Sequence, residues 1–334
     1  MSDTDFLLES RGDAQDLGAW VIGTAFGRDG GCAFALGDGT VRLAEGWRSV
    51  AAHDGACLAI CADAKDGVLT GGDDGRLMRI APDGIATEVA TYGSKWVDHV
   101  AAHESGLRAA AVGKAVHILD GAGTALKSLA HPSTVTGIAF DAKGKRIAAS
   151  HYNGASLWFV GAKESSPRLL EWKGSHTGVT ISPDGTHVVT TMQENTLHGW
   201  RLADGQHMRM AGYPSKTKSM GFTAKGRWLA TAGADCVVLW PFFGGGPMGK
   251  APTELAGGDG ILCSTVACHP SQEVIAAGFD DGLVLIAEVG SGRVVPVAAP
   301  RGSAVSALAW NGVGSQLAFG TEGGFAGLID LSKR

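Results

Sequence analysis

The chain alternates between short apolar runs and short polar breaks, and the same order recurs from end to end. A brief apolar stretch leads to a turn holding Asp, Lys or Gly. A second apolar stretch rich in small residues leads to an acidic or glycine turn, and a third stretch follows. Residues 134–159 read TVTGIAFDAKGKRIAASHYNGASLWF, residues 217–242 read TKSMGFTAKGRWLATAGADCVVLWPF, and residues 304–330 read AVSALAWNGVGSQLAFGTEGGFAGLID. The apolar anchor near the end of the first stretch falls at Phe26, Ile60, Ala101, Phe140, Ile181, Phe222, Cys268 and Trp310, at steps of 34, 41, 39, 41, 41, 46 and 42 residues. Alternation and β-branched residues mark these windows and the helical period is absent from them, so they predict strands. Nothing long enough for a crossover helix separates one strand from the next, which excludes a βαβ arrangement.

Short strands grouped four to a unit, with a period of about 40 residues, predict an all-β propeller. Eight sets of inner, middle and third strands are expected, with seven blades as the alternative. An outer strand follows each of the first seven sets, as in ALKSLAH at 125–131 and RLLEWK at 168–173. After the eighth third strand, Phe325–Leu331, an outer strand is missing. DFLLES at 5–10 is the segment expected to supply it and to close the ring, removing an open sheet edge. The whole of 1–334 then reads as a single propeller domain with its repeats over about 19–331.

The repeats resemble those of the WD40 family. The matching pieces are FALGDGTVRL at 34–43, GGDDGRLMRI at 71–80, ASLWF at 155–159, SPDG at 182–185 and VVLWP at 237–241, and the likeness extends over about 20–330. The segment 212–330 looks like a bacterial branch of WD-repeat proteins. The resemblance implies a network in each blade of a His, a Ser or Thr, an Asp and a Trp. That network is incomplete throughout. His131 and Trp158 fit, with Tyr152 in the Asp place; Trp200 and Trp240 fit, with Glu194 and Ala234 there; Asp38, Asp74 and Asp281 stand in blades without the Trp.

Glycine accounts for 51 of 334 residues, roughly twice the usual share of about 7%, as a turn-rich fold requires. The formal charge is −5 and no basic stripe is present, which argues against nucleic acid as a partner. The acidic N-terminus has no apolar core of a secretory signal, and no run reaches membrane-span length. The six cysteines form no CxxC pair. Free thiols and a cytoplasmic location are therefore expected.

No chemistry announces itself. GxSxG and HExxH are absent. GGGPMGK at 244–250 lacks the spacing of a phosphate loop and reads as a long turn. His99 and His103, like Cys57 and Cys61, are four apart, which on a strand means roughly 13 Å, too far to share a metal. No cofactor and no metal site are expected. The informative residues lie in the loops leading into the inner strands and in the turns between middle and third strands. These supply Tyr92, Lys95, Trp96, Trp172, Tyr213, Lys216, Lys218 and Arg301, with Asp235 and Asp281 as acidic members. Aromatic and basic side chains of these types dominate interaction hot spots. The expectation is a non-enzymatic scaffold, monomeric on its own, binding protein partners through that face. A small-ligand or metal-binding propeller is the alternative.

Overall fold

The computed structural model describes residues 5–163, 166–258 and 260–333. Antiparallel strands make up almost all of it. The helical elements among the described residues are the turn Leu7–Arg11 and the 3-10 segment Glu45–Trp47.

Each four-stranded sheet is a meander of consecutive hairpins. The first holds Val21–Phe26, Cys32–Leu36, Thr40–Leu43 and Arg48–Ala51; the second holds Cys57–Ala62, Val68–Gly72, Arg76–Ile80 and Ala86–Thr91. Burial follows position in the meander. The middle strands Cys32–Leu36, Val68–Gly72 and Arg108–Val112 are buried at every residue. They lie between two neighbouring sheets, so both faces need apolar or small side chains. Inner strands such as Cys57–Ala62 are half-buried because one face lines a channel. Outer strands such as Ala86–Thr91 have no buried residue.

Neighbouring sheets meet through one repeated close contact. A Cβ added at Gly71 would lie 2.7 Å from Val97 Cγ1, one at Gly278 2.5 Å from Val305 Cγ1, and one at Gly320 2.3 Å from Val21 Cγ1. The third contact joins the last sheet to the first, so the chain ends meet with the same packing as covalently consecutive sheets. A hydroxyl stitch repeats in parallel. Ser264 Oγ donates to Val305 O (2.7 Å), and Ser306 Oγ donates to Val21 O (2.6 Å) across the closure.

The closing strand is Gly12–Asp16, paired with Phe325–Asp330 from Gly12↔Ile329 to Asp16↔Phe325. This corrects the expectation of 5–10. Residues 7–11 instead form the helical turn, with Leu8 buried against the last sheet. The reason is burial. All five closing residues, GDAQD, are exposed, so this edge asks for polar residues, whereas the two leucines need a covered site.

Hydrogen bonding gathers the strands into seven sheets rather than eight separate ones, which departs from the count expected first. Six have four strands and the seventh has six. The six-stranded sheet contains two 14-residue strands, Arg146–Phe159 and Arg168–Ile181. They pair through Leu157↔Arg168 to Gly154↔Glu171, and again at Tyr152↔Ser175 past a bulge.

Candidate interaction surface

The loops into the inner strands and the turns between middle and third strands interlock on one face. Ala56 N donates to Asp73 Oδ1 (2.8 Å), Asp54 N to Asp74 Oδ2 (3.1 Å), Ser175 N to Glu194 Oε1 (3.1 Å) and Gly323 N to Ser303 Oγ (2.8 Å). The amides of Arg301 and Gly302 both donate to Asp281 O. These bonds tie each loop to a neighbouring turn on this face.

Beneath the loops, partial polar networks persist, and His131 Nδ1 has no hydrogen-bond partner among the described residues. His53 bridges Asp74 Oδ1 and Thr70 Oγ1, each at 3.0 Å, in a blade without the tryptophan. Burial alone would raise the Asp74 carboxyl. Hydrogen bonds from Arg76, His53 and two backbone amides outweigh that and hold it well below the usual carboxylate range. Trp158 Nε1 donates to His131 Nε2 at 3.1 Å. Burial, then the neighbouring His151, pushes His131 down to about 4.

Tyr213 occupies the place of the histidine in its blade. Trp240 Nε1 donates to its hydroxyl, which donates to Thr231 Oγ1, each at 2.6 Å, and the Thr231 hydroxyl donates to Val238 O. Tyr213 is buried, and burial raises its hydroxyl to about 12. It therefore belongs to the frame, which removes it from the surface set proposed from the sequence.

The remaining members of that set divide. Trp96 is 58% exposed and Lys95 beside it is exposed. Tyr92 in the same loop is half-buried and packs on His117, ring centroids 4.5 Å apart. Trp172 is 38% exposed. Lys218 stands at the channel mouth near Asp280 and Glu322. Lys216 is drawn to Gln193 Oε1 at 2.6 Å, and Arg301 lies 4.0 Å over the Phe325 ring. Asp281 serves its own turn, accepting from Leu283 N at 2.9 Å. Asp235 is half-buried, and its carbonyl accepts from Gly258 N.

Two exposed aromatics on this face were not predicted as site residues, Trp20 (50% exposed) and Tyr152 (57%). Trp20 was legible. It precedes Val21 as Trp96 precedes Val97, and both valines make the sheet-to-sheet glycine contact. Among the described residues the four exposed Trp and Tyr side chains, Trp20, Trp96, Tyr152 and Trp172, all lie on this face.

The central channel encloses about 630 Å³. Its hydroxyls are largely committed to the frame. Thr177 Oγ1 meets Thr191 Oγ1 at 3.0 Å, and Ser219 Oγ donates to Val266 O at 3.1 Å. His99 also lines it, and burial lowers its pKa. The inner strands leave the opposite face through tight turns such as Asp141–Gly144 and Ser182–Gly185. That face has two clefts of about 460 and 540 Å³ sharing Trp310 and Val313.

Among the described residues there is no group of three or more His, Cys, Asp or Glu placed to hold a metal ion. The six cysteines are free. Burial raises five of these thiols to about 12 and Cys236 to about 11. No described helix is long and apolar enough to cross a membrane.

No protein-family model matches the chain. It is 23% identical to Autophagy-related protein 16 of Arabidopsis thaliana over 295 residues, 82% of the chain and 55% of that relative. It is 23% identical to Small ribosomal subunit protein RACK1 of Caenorhabditis elegans over 123 residues, 34% of the chain and 38% of that relative. The chain thus spans about half, or less, of the length of these curated relatives. Among solved structures it is similar to the computationally designed Ika8 protein, with a TM-score of 0.74 and 18% identity over 94% of this chain and 96% of that one. This last likeness establishes the fold alone. Both relatives are WD40 propeller proteins, and the chain is a β-propeller consistent with the WD40-repeat family.

Proposed function

We propose that the chain is a non-enzymatic scaffold that binds protein partners through the face carrying the loops into the inner strands. One observation carries this: the exposed Trp and Tyr side chains all lie on that face. Indole and phenol rings combine large apolar area with few rotatable bonds, and they dominate binding hot spots. Here they stand on loops already fixed by hydrogen bonds, so little ordering entropy is lost on binding. The two WD40 relatives, which are interaction scaffolds, favour the same reading at a distance.

We also infer eight blades, the six-stranded sheet counting as two. Three features support this. The strand Arg146–Phe159 folds back at Asn153 (φ 66°) and Gly154 (φ 141°), the Asn-Gly pair typical of a tight hairpin. Val160 N donates to Lys145 O, as Leu202 N does to Thr186 O and Phe242 N to Arg227 O in other hairpins of this position. The channel is lined from eight inner strands, Thr136–Ile138 and Thr177–Val179 among them. The cytoplasm remains the proposed location.

The test is capture of partners by the purified chain from the native cell. Replacing Trp20, Trp96 and Lys218 together by Ala is expected to abolish capture while circular dichroism and melting stay unchanged. Replacing Lys143, Asp184 and Lys225 on the opposite face should leave capture intact. Loss of capture with the second set and not the first would overturn the assignment of the face.

A further inference from the structure

Toward the rim of the same face, a cleft of about 490 Å³ is lined by Tyr152, Asn153, Glu171, Trp172 and Lys173. It forms where the Asn153 hairpin meets the bulge that precedes Ser175. The cleft has two aromatic walls. Trp172 stacks on His198 with centroids 3.9 Å apart and planes 14° from parallel, and His207 braces it at 5.4 Å. One face of the indole is thus covered and its orientation is fixed. The other side remains partly exposed. Tyr152, more exposed still, lines the same cleft without making a ring contact to Trp172 among the described residues.

The electrostatics favour a cation between those walls. An indole face carries negative quadrupole density, and Trp is the strongest of the aromatic cation acceptors. His198 does not oppose this from below. Burial, then the neighbouring His207, His176 and Arg209, pushes its pKa down to about 3, so the imidazole is neutral. Glu171 is exposed on the cleft wall, and its carboxylate makes no ion pair among the described residues. Glu194 adds a second carboxylate nearby, held by Ser175 N. Among the described residues, Lys173 is the one cation lining the cleft.

We propose that this cleft receives an arginine side chain of a protein partner, its guanidinium lying on the open face of Trp172 and paired with Glu171, with Tyr152 as the opposite wall. This rests on the reading that the face binds protein, and it specifies what the partner presents there. Arginine fits better than lysine because its guanidinium is planar and weakly hydrated. It can stack on a ring and offer a hydrogen-bonded fork to a carboxylate at once.

The test uses the full chain with hexa-arginine, hexa-lysine and hexa-citrulline peptides at physiological salt. It reads the indole NMR signal of Trp172, identified through Trp172→Phe. Hexa-arginine is expected to shift that signal in a saturable way. Hexa-citrulline, equal in shape and uncharged, should not bind, and hexa-lysine should bind several-fold more weakly. Glu171→Gln, which leaves the Trp172 stack untouched, should weaken hexa-arginine about ten-fold, as losing a charged hot-spot partner does. Glu322→Gln at the channel mouth should leave it unchanged, which separates the cleft from general attraction of a polycation to a chain of net charge −5. Equal binding of citrulline, or no effect of Glu171→Gln, would overturn the assignment. Should capture depend on Trp20 and Trp96 while hexa-arginine ignores Trp172, the interaction surface stands and this cleft falls.

Discussion

Asp63 and Arg108 provide the sharpest test of what holds the ring together. Asp63 leaves the second inner strand and is fully buried; Arg108 begins the middle strand of the next sheet and is 3% exposed. The guanidinium grips the carboxylate with two bonds, Nε to Oδ1 at 2.7 Å and Nη2 to Oδ2 at 2.6 Å. Arg79 Nε adds a third at 3.0 Å and Ala64 N a fourth at 2.6 Å. Burial alone would raise the Asp63 carboxyl, but these donors outweigh it and lower its pKa. The partners are therefore unequal. Asp63→Asn leaves a buried guanidinium without its counter-charge and should cost about 3–5 kcal/mol, the range for a broken buried pair. Arg108→Met leaves a carboxylate that still has Arg79 and the Ala64 amide, and it fills much of the vacated space. It should cost about 1–3 kcal/mol, as for a lost charged hydrogen bond. The double variant buries no charge from this pair and should fall short of the sum by about 0.5–3 kcal/mol. Urea unfolding followed by tryptophan fluorescence measures all three. The pH dependence adds a sign check. A depressed carboxylate contributes fully above the unfolded value of about 3.9 and loses that contribution as pH falls below it. The gap between wild type and Asp63→Asn should hold from pH 7 to about 4 and shrink beneath. If Arg108→Met costs as much as Asp63→Asn, or the two add, the unequal-partner reasoning is refuted.

Three further outcomes follow from the same geometry. Deleting the chain through Asp16 exposes the edge of Phe325–Asp330 and uncovers the site of Leu8; size-exclusion chromatography should show aggregation, or melting should fall by several degrees, and a stable monomer would remove this closure from the account. His131 and His198 have folded pKa values pushed by burial to about 4 and about 3, below the unfolded value of about 6.5. The unfolded chain then takes up protons first, so stability should decline as pH drops below about 6.5, by up to about 1.4 kcal/mol per pH unit for each group; melting curves from pH 7 to 4.5 should show the decline, and His198→Gln should flatten it. Tyr213→Phe breaks the Trp240–Tyr213–Thr231 relay and should cost about 1–3 kcal/mol by leaving buried polar groups unpaired, while partner capture stays intact if Tyr213 is only part of the frame.

Local features were legible and long-range ones were not. The strands, their turns and the period of about 40 residues follow from alternation and glycine placement, which a short window of sequence displays. The closing strand was misplaced because its five residues are all exposed and carry no apolar signature. The apolar DFLLE beside it drew the assignment and instead supplies Leu8 to the core. The Asp63–Arg108 pair spans 45 residues and two sheets, and neither residue is unusual in its own window. Tyr213 was read as a surface aromatic because a tyrosine before an inner strand suits a rim or a core equally well; only Trp240 and Thr231, brought beside it by the fold, decide the matter.

The frame and the proposed interaction surface share residues, and this governs how the face responds to change. Trp172 presents one side of its ring to solvent and rests the other on His198, while its carbonyl meets His176 Nε2 at 2.9 Å. His176 in turn bonds Thr190 at 2.7 Å, deep in the sheet. Asp281 likewise holds the loop of Arg301 through its carbonyl while its carboxylate fixes its own turn. A substitution at Thr190 or His198 touches no partner, yet it loosens the support of an exposed ring. Binding would then weaken through lost preorganisation rather than lost contact. Effects of that origin fade when the ring is held by other means. An aromatic replacement at position 198 that preserves the stack should therefore retain more binding than alanine there, although neither residue reaches the surface.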